Sequence, residues 1–380
     1  MEYTSDIKED QLLSEDVRDS LREWRKDVSE DETYSKTVED YKHSTKKKMI
    51  FIVVTLICAI AVTIYSLQYS PLVGDAWETL CILWDSLWGK ADPESSIVHW
   101  TLYVSPPVLG ALIGGAGLAI CGAIMQSVLR NPMADPYTTG ISSGASFGAA
   151  LAIASGTLLL QNPSLIVILA FGFSMIPVMV ILSISKMTNA SPITIIMTGI
   201  GIMYIFNALT SLVKLKGGST AMAALDNWLM GDVQLVEWAD LLPMTLIVLA
   251  GIIISMYLAG KMNVLATGDD SAKALGINAD KLRIFCLILT AIVSAGVISF
   301  TGLIGFVGLV CPHIARMMVG ADNKYLIPAS AVIGCLLMVA GHFVGKTIIA
   351  PTLIPVGIIM SCIGGPVFIW LVMRKNKGAW

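Results

Sequence analysis

Residues 268–276 read GDDSAKALG, and residues 305–316, after a long apolar run, read GFVGLVCPHIAR. The first stretch is short and polar, with Asp269 or Ser271 as a candidate N-cap and Gly276 as a stop signal. Between two apolar runs, this pattern predicts a small, self-contained helix joining two membrane spans. Two interpretations are open. The segment is either an ordinary capped loop helix or a helix on which another protein acts to move the bundle.

The chain is far more apolar than a soluble domain. Of its 380 residues, 55% are hydrophobic and only 14% are charged, whereas roughly 25% of a soluble domain is charged. We therefore expect an all-α polytopic membrane protein. The net charge of −3 gives a nucleic-acid partner no electrostatic support.

Ten windows are long and apolar enough to span a bilayer, which takes roughly 20 residues for a core of ~30 Å. They are residues 50–67, 102–129, 138–158, 164–185, 193–212, 242–258, 282–299, 303–317, 326–344 and 353–373. The eighth is short, and its glycines and Pro312 predict that it is bent or broken. A broken helix is tolerated at membrane depth only where protein or water forms hydrogen bonds with the freed backbone groups. The predicted membrane domain covers residues 49–375.

The first 48 residues form a polar tail with 14 acidic and 10 basic side chains. Its apolar residues recur at the spacing of one helix face, which predicts an amphipathic helix over residues 13–28. A weakly ordered tail remains an open alternative.

Lysine and arginine predict the orientation. With ten alternating spans, fourteen of these residues beyond position 45 lie on one side and four on the other, so the richer side is cytoplasmic. Both termini and the connecting loop 266–281 are then cytoplasmic. Two outer segments, residues 68–100 and 214–240, carry tryptophans and predict helices at the membrane surface.

The spans offer no energy source of their own. Their apolar cores contain essentially no Asp, Glu, Lys or Arg, whereas ion-driven transporters usually keep such groups. The GKT at 345–347 resembles the end of a phosphate loop, but Ala340 replaces the required glycine. No set of catalytic side chains is present, and the seven cysteines lack metal-site spacing. A separate ATPase would supply the energy.

Four motifs give the chain a specific resemblance. Residues 117–136, GLAICGAIMQSVLRNPMADP, closely resemble the second span and following loop of the FecCD family, the permease subunits of type II ABC importers. Residues 305–316, LIPVG at 353–357 and GGPVFI at 364–369 are similar to three further motifs of that family, in the same order. This family imports iron–siderophore complexes, haem and cobalamin.

The resemblance implies a ten-helix subunit that forms a homodimer, with an axial pathway lined mainly by the fifth and tenth spans. It also implies two ATPase subunits, which bind ATP and magnesium, and an external substrate-binding protein; this chain itself would carry no cofactor, metal or catalytic residue. The family's ATPase-coupling helix corresponds to a run in which Leu275 and Ala272 are the expected apolar contacts. The residues of that run are Asp269, Asp270, Ser271, Ala272, Lys273, Ala274, Leu275 and Gly276.

Docking and gating residues follow from the same resemblance. Family members carry R-L-P-R at the start of span two, where binding-protein carboxylates dock, but residues 104–107 here read VSPP. The remaining candidates for docking are Lys346, Lys214 and Lys216. The candidates for the pathway or inner gate are Asn207, Thr188, Asn189 and Ser191.

The predicted function is that of a permease subunit importing a metal chelate across the cell membrane, in contact with membrane lipid. An iron–siderophore complex is the first expectation, with cobalamin or haem as alternatives. A secondary transporter driven by ions is the competing class.

Overall fold

The computed structural model describes residues 18–20, 32–68, 75–92, 94–155, 163–187 and 191–374, and these residues contain helices and no strand. The helices are α1 (Glu32–Gln68), α2 (Ala76–Leu87), α3 (Ser96–Val128), α4 (Ile141–Ala154), α5 (Pro163–Met187), α6 (Pro192–Lys216), α7 (Ser219–Met230), α8 (Trp238–Ala266), α9 (Asp269–Ala274), α10 (Ala279–Thr301), α11 (Val307–Val319), α12 (Asn323–Thr347) and α13 (Val356–Arg374).

The chain divides into two compact units, Met1–Ile50 and Phe51–Trp380. In the first unit, the helix predicted over residues 13–28 lies outside the described residues except for 18–20, which are helical. The second unit contains α2 to α13.

The ten predicted spans correspond to ten helices. Among the described residues, seven helices are long and apolar enough to cross a membrane: α1, α3, α5, α6, α8, α10 and α12. The shorter apolar helices α4, α11 and α13 supply the other three. The prediction of an all-α, ten-span membrane bundle is therefore confirmed.

The eighth span is broken at its start and not at its proline. Residues 302–306 between α10 and α11 are non-helical, with positive φ at Gly302 and Phe306. Pro312 lies inside α11, where its missing N–H leaves the carbonyl of Gly308 without a helical partner. The side-chain amide of Gln126 on α3 donates to that carbonyl at 3.4 Å, so α11 continues through the proline.

Helix α3 lies at the centre of the bundle. In its most apolar 18-residue window, 83% of the residues are buried, against 28% for α5 and α6. It packs against α8, α10, α11 and α12. A helix that is apolar on every face is expected to be surrounded by other helices.

Glycines allow the neighbours of α3 to approach at backbone distance. A Cβ added to Gly122 would lie only 1.6 Å from the carbonyl oxygen of Gly308 on α11. A Cβ on Gly115 would lie 2.2 Å from the carbonyl oxygen of Gly334 on α12. A Cβ on Gly334 would likewise lie 2.2 Å from the carbonyl oxygen of Gly115. Small residues at such crossings are the usual basis of helix packing in lipid, where the hydrophobic effect does not drive association.

The two outer segments contain helices as predicted, α2 and α7. On α2, the side chains of Trp77 and Trp84 are 75% and 62% exposed. The end of α7 instead packs into the bundle, because Gly231 accepts a hydrogen bond at 2.9 Å from the N–H of Gly357 at the start of α13. A position at the membrane surface stays a prediction for α2.

We expect Gly122→Ala to destabilise the bundle by about 1–3 kcal/mol or more, because the added methyl group overlaps a backbone carbonyl that cannot rotate away. Thermal unfolding of the detergent-solubilised protein measures the effect. Gly260→Ala on α8 is the matched control, since a Cβ there meets no atom within 4 Å. Equal unfolding temperatures for the two variants would contradict this packing.

Candidate functional site

The predicted small helix is present as α9, which connects the spans α8 and α10. It ends in a Schellman arrangement, in which the N–H groups of Gly276 and Ile277 donate to the carbonyls of Lys273 and Ala272 at 3.0 and 2.8 Å. Gly276 has a φ of +74°, which a residue without a Cβ adopts most easily. The predicted stop at Gly276 is therefore confirmed.

The predicted N-cap is wrong. Gly268 occupies the N-cap position of α9, and no side chain accepts a hydrogen bond there. The carboxylate of Asp269, which was one of the two candidates, is directed instead to Arg283 on α10 and to Arg130, just after the C-cap of α3.

These arginines form a charged cluster at the start of α9. Oδ1 of Asp269 accepts hydrogen bonds from Nη2 of Arg283 at 2.8 Å and from Nη2 of Arg130 at 3.0 Å. Arg283 on α10 is fully buried, and it also donates to the carbonyl of Val128 at 3.2 Å and to Asp280 at 3.4 Å. A buried guanidinium needs such partners, because an unpaired buried charge is strongly destabilising. The cluster therefore joins α9, α10 and the end of α3.

A second polar network lies at the same end of the bundle. The side chain of Asn263 on α8 donates to Asp322 at 2.6 Å and accepts two hydrogen bonds from Asn323, at 2.8 Å from its N–H and 2.9 Å from its amide. Asn323 in turn accepts from the hydroxyl of Ser127 at 2.7 Å. This network joins α8 and α12 to the last turn of α3.

The side chains of α9 divide into a buried and an exposed set. Ala272 is 0% exposed and packs in the core of the chain itself, whereas Leu275 is 69% exposed. Of the two apolar ATPase contacts predicted, only Leu275 is available to a partner in this conformation. Exposed alongside Leu275 are Asp270, Ser271, Lys273, Ala274 and Gly276.

The loop after α3 is folded tightly against α6. Asp135 accepts from the N–H of Thr138 at 2.9 Å, and the Thr138 hydroxyl returns a bond to the Asp135 carbonyl at 2.8 Å. Burial raises the pKa of Asp135 to about 6, a shift that the Thr138 hydrogen bonds reduce. A Cβ added to Gly199 on α6 would lie 2.5 Å from the Thr138 carbonyl oxygen, so the loop and α6 touch through their backbones.

The three lysines predicted for docking differ in availability. Lys214 is paired with Asp226 at 2.5 Å, and Lys216 is exposed. Nζ of Lys346 is buried and has no hydrogen-bond partner among the described residues. In this conformation, Lys216 is the lysine of the three best placed to meet an external carboxylate.

The candidate pathway and gate residues are only partly described. Asn207 is exposed on α6, a helix with few buried residues. Ser191 occupies the N-cap position of α6 without a side-chain cap bond. Thr188 and Asn189 lie outside the described residues, so their gating role stays a prediction.

Sequence reasoning missed the groups that fix α9 in place. Arg283 counted only among the fourteen lysines and arginines that set orientation, and Arg130 counted there and within the motif at residues 117–136. A usable signal was present, since Arg283 lies three residues after Asp280 at the start of an apolar helix, a spacing typical of ion pairs on one helix face. The approach of Asp269 to residues 139 and 14 positions away could not be read from the sequence.

Comparison with known proteins agrees with this architecture. The model of the FecCD transport family matches residues 58–374. The cobalamin import system permease protein BtuC of Halobacterium salinarum is 35% identical over 312 residues, which cover 80% of this chain and 82% of that protein. The hemin transport system permease protein HmuU of Yersinia pestis is 31% identical over 306 residues, which cover 78% and 90%. An inward-facing structure of a proposed metal-chelate type ABC transporter superimposes with a TM-score of 0.74, at 26% identity over 85% of this chain and 98% of that one.

The family match extends over nearly all of the second compact unit. The chain is accordingly a multi-pass membrane protein and a transport subunit of an ABC importer, and not an enzyme; ATP hydrolysis belongs to a separate subunit. An ATPase and a substrate-binding protein are its partners. The chain belongs to the FecCD transport family.

Proposed function

We propose that this permease imports a bulky metal chelate across the inner membrane, and that its ATPase moves the bundle through α9. The observation that carries the proposal is α9 itself: a helix between two spans, held at its base by the contact of Asp269 with the buried Arg283 and presenting the exposed Leu275. A rigid helix passes a displacement on to the bundle, whereas a flexible loop would absorb it.

An iron–siderophore complex is the proposed cargo, with cobalamin or haem as alternatives. The relatives carry names for cobalamin and hemin transport, which support a large chelate. Titrating the cognate binding protein with a ferric siderophore, haem and cobalamin measures its affinity for each of these three chelates. We expect the ferric siderophore to bind most tightly, and tight binding of cobalamin or haem alone would contradict it.

The distribution of buried charge favours an ATP-driven importer over an ion-coupled transporter. Among the described residues, Asp135 and Arg283 are the Asp, Glu, Lys and Arg residues that are buried as a whole; Lys346, in the last turn of α12, is partly exposed, although its Nζ is buried. Asp135 lies in the loop after α3 and is held by that loop, and Arg283 pairs with Asp269 and Asp280. An ion-coupled transporter would need ionisable groups along its path.

We propose that two copies of the chain form a homodimer around the pathway, with α6 and α13 at the axis. In the single chain these helices leave large apolar side chains uncovered, including Met197 and Tyr204 on α6 and Ile369 and Trp370 on α13. A two-fold interface presents the same surface from both copies and would cover these faces.

We also propose that the end of the bundle that carries α9 is cytoplasmic and that both chain termini lie on that side. The support is the fourteen-to-four distribution of lysine and arginine. Lys216 then lies outside, together with Lys214 and Lys346, where a binding protein would dock.

We expect Leu275→Asp to weaken binding of the ATPase by roughly tenfold or more, because the change places a charge in an apolar contact. Uptake should fall in parallel. Because Leu275 is 69% exposed, the fold should be unaffected. Co-purification with the ATPase measures this binding. Light scattering measures the mass of the wild-type complex, which should correspond to two copies of this chain.

Leu235→Asp is the control, because Leu235 is also exposed, at 44%, and lies away from α9. This variant should retain the ATPase. Normal ATPase binding and uptake by Leu275→Asp would refute the docking role of α9, and a complex with a single copy of this chain would refute the homodimer.

We expect Lys216→Glu to slow association of the binding protein by about threefold at low salt, and the difference to shrink at high salt as charges are screened. Stopped-flow or surface-binding kinetics with the permease in nanodiscs measure this. Lys90→Glu provides a control of the same charge change on the same proposed side. Identical association rates for wild type and the Lys216 variant at low salt would remove Lys216 from the docking surface.

A further inference from the structure

Helix α9 is flanked on both sides by glycines with positive φ, Gly268 at +134° and Gly276 at +74°. Glycine in such a conformation turns the chain readily but does not stiffen it. A six-residue helix joined through two such residues could tilt independently of α8 and α10 when a partner pulls on it. Side-chain contacts must therefore hold α9 to the bundle, and the buried Ala272 supplies one of them.

The carboxylate of Asp269 provides a second attachment, which is charged and directional. One oxygen, Oδ1, binds both Arg283 and Arg130, at 2.8 and 3.0 Å. Charge-assisted hydrogen bonds of this kind are roughly twice as strong as neutral ones. The first residue of α9 is thereby connected to α10 and to the turn that follows α3.

Arg283 extends the attachment to α3. Its Nε donates at 3.2 Å to the carbonyl of Val128, the last residue of α3. The last four carbonyls of a helix have no partner within the helix, so this bond satisfies a group that would otherwise be unpaired. Because Arg283 is 0% exposed, its guanidinium is fixed by packing as well as by its hydrogen bonds.

Arg130 is an unusual residue at its position. It follows the C-cap Leu129 of α3 and has a φ of +48°, in a Schellman arrangement closed by the N–H of Asn131 on the carbonyl of Gln126 at 3.2 Å. Glycine is the common residue there, and another residue costs about 1–2 kcal/mol. An arginine that accepts this strain while its side chain binds Asp269 indicates a role beyond ending the helix.

The route continues from α3 to α6. Arg130 opens the loop that leads to α4, and in that loop the Thr138 carbonyl lies against Gly199 of α6, 2.5 Å from where a Cβ would be. A contact of backbone on backbone transmits displacement with little give, because interiors are close-packed. Helix α6 is one of the two helices proposed to line the pathway.

We propose that Asp269, Arg283 and Arg130 are positioning residues that carry the movement of α9 into α3 and through the Arg130 loop to α6. This inference rests on the proposed function, in which the ATPase docks on α9. In this role the three residues act through one another rather than by binding the ATPase or the cargo, and they determine how much of the ATPase movement reaches the pathway. Without them, ATP hydrolysis would tilt α9 on its glycines and move the bundle less.

The first test is Asp269→Asn, which removes the charge and keeps the size of the side chain. In proteoliposomes with the ATPase and the loaded binding protein, we expect molecules transported per ATP hydrolysed to fall by about fivefold or more, with ATPase binding within about twofold of wild type. Glu78→Gln is the control, since Glu78 is an exposed acid in the first turn of α2, and its transport per ATP should equal that of wild type.

The second test is Arg130→Gly, which separates positioning from stability. Glycine relieves the positive φ, so the unfolding temperature should stay equal or rise while transport per ATP falls as it does in Asp269→Asn. A purely structural role for Arg130 would lower the unfolding temperature instead. That result would overturn the inference.

Two further results would also overturn it. One is unchanged transport per ATP in both variants; the other is loss of ATPase binding in Asp269→Asn, which would place Asp269 in the docking surface. Both are distinguishable from failure of the proposed function, in which Leu275→Asp would bind the ATPase and transport normally. If Leu275→Asp loses binding while Asp269→Asn couples normally, only the positioning role is refuted.

Discussion

Backbone polar groups inside a bilayer must find their partners within the protein, and the centre of this bundle depends on that requirement. Pro312 removes a donor from α11, and the freed carbonyl of Gly308 is bound by Gln126 of α3. That bond is possible because Gly122, one turn earlier, lets α3 lie against α11 with no side chain between them. The motif at residues 305–316, at the break of the eighth span, and the motif at residues 117–136, in the second span, therefore pack directly against each other.

The same helix, α3, receives the polar contacts at the end of the bundle that carries α9. Arg283 binds the carbonyl of Val128, and Asn323 accepts from Ser127. The helix at the centre of the bundle, which packs against α8, α10, α11 and α12, is thus also the helix to which the ends of α8, α10 and α12 are attached. Because its spans contain few charges, the bundle would respond to the ATPase through displacement of packed helices. A central, close-packed helix transmits such a displacement to its neighbours.

The sequence predicted the spans and the small helix well, because long apolar windows and glycine stops are local signals. It placed the break of the eighth span in the right region, but it could not show that Phe306 adopts a positive φ or that Pro312 is tolerated, since both depend on contacts with α3. It assigned Asp269 to capping because an acidic residue at a helix start usually serves there. The two arginines that bind Asp269 come from α10 and from the turn after α3, and contacts between residues so placed cannot be predicted from sequence spacing.

The central claim is that the bundle has no energy source of its own and is moved by an ATPase acting on α9. Uptake of a ferric siderophore into proteoliposomes tests it most directly, with the purified chain alone under imposed proton and sodium gradients, and then with the ATPase, ATP and binding protein added. The account predicts accumulation only in the complete system. Accumulation against a gradient with the ATPase omitted would contradict it.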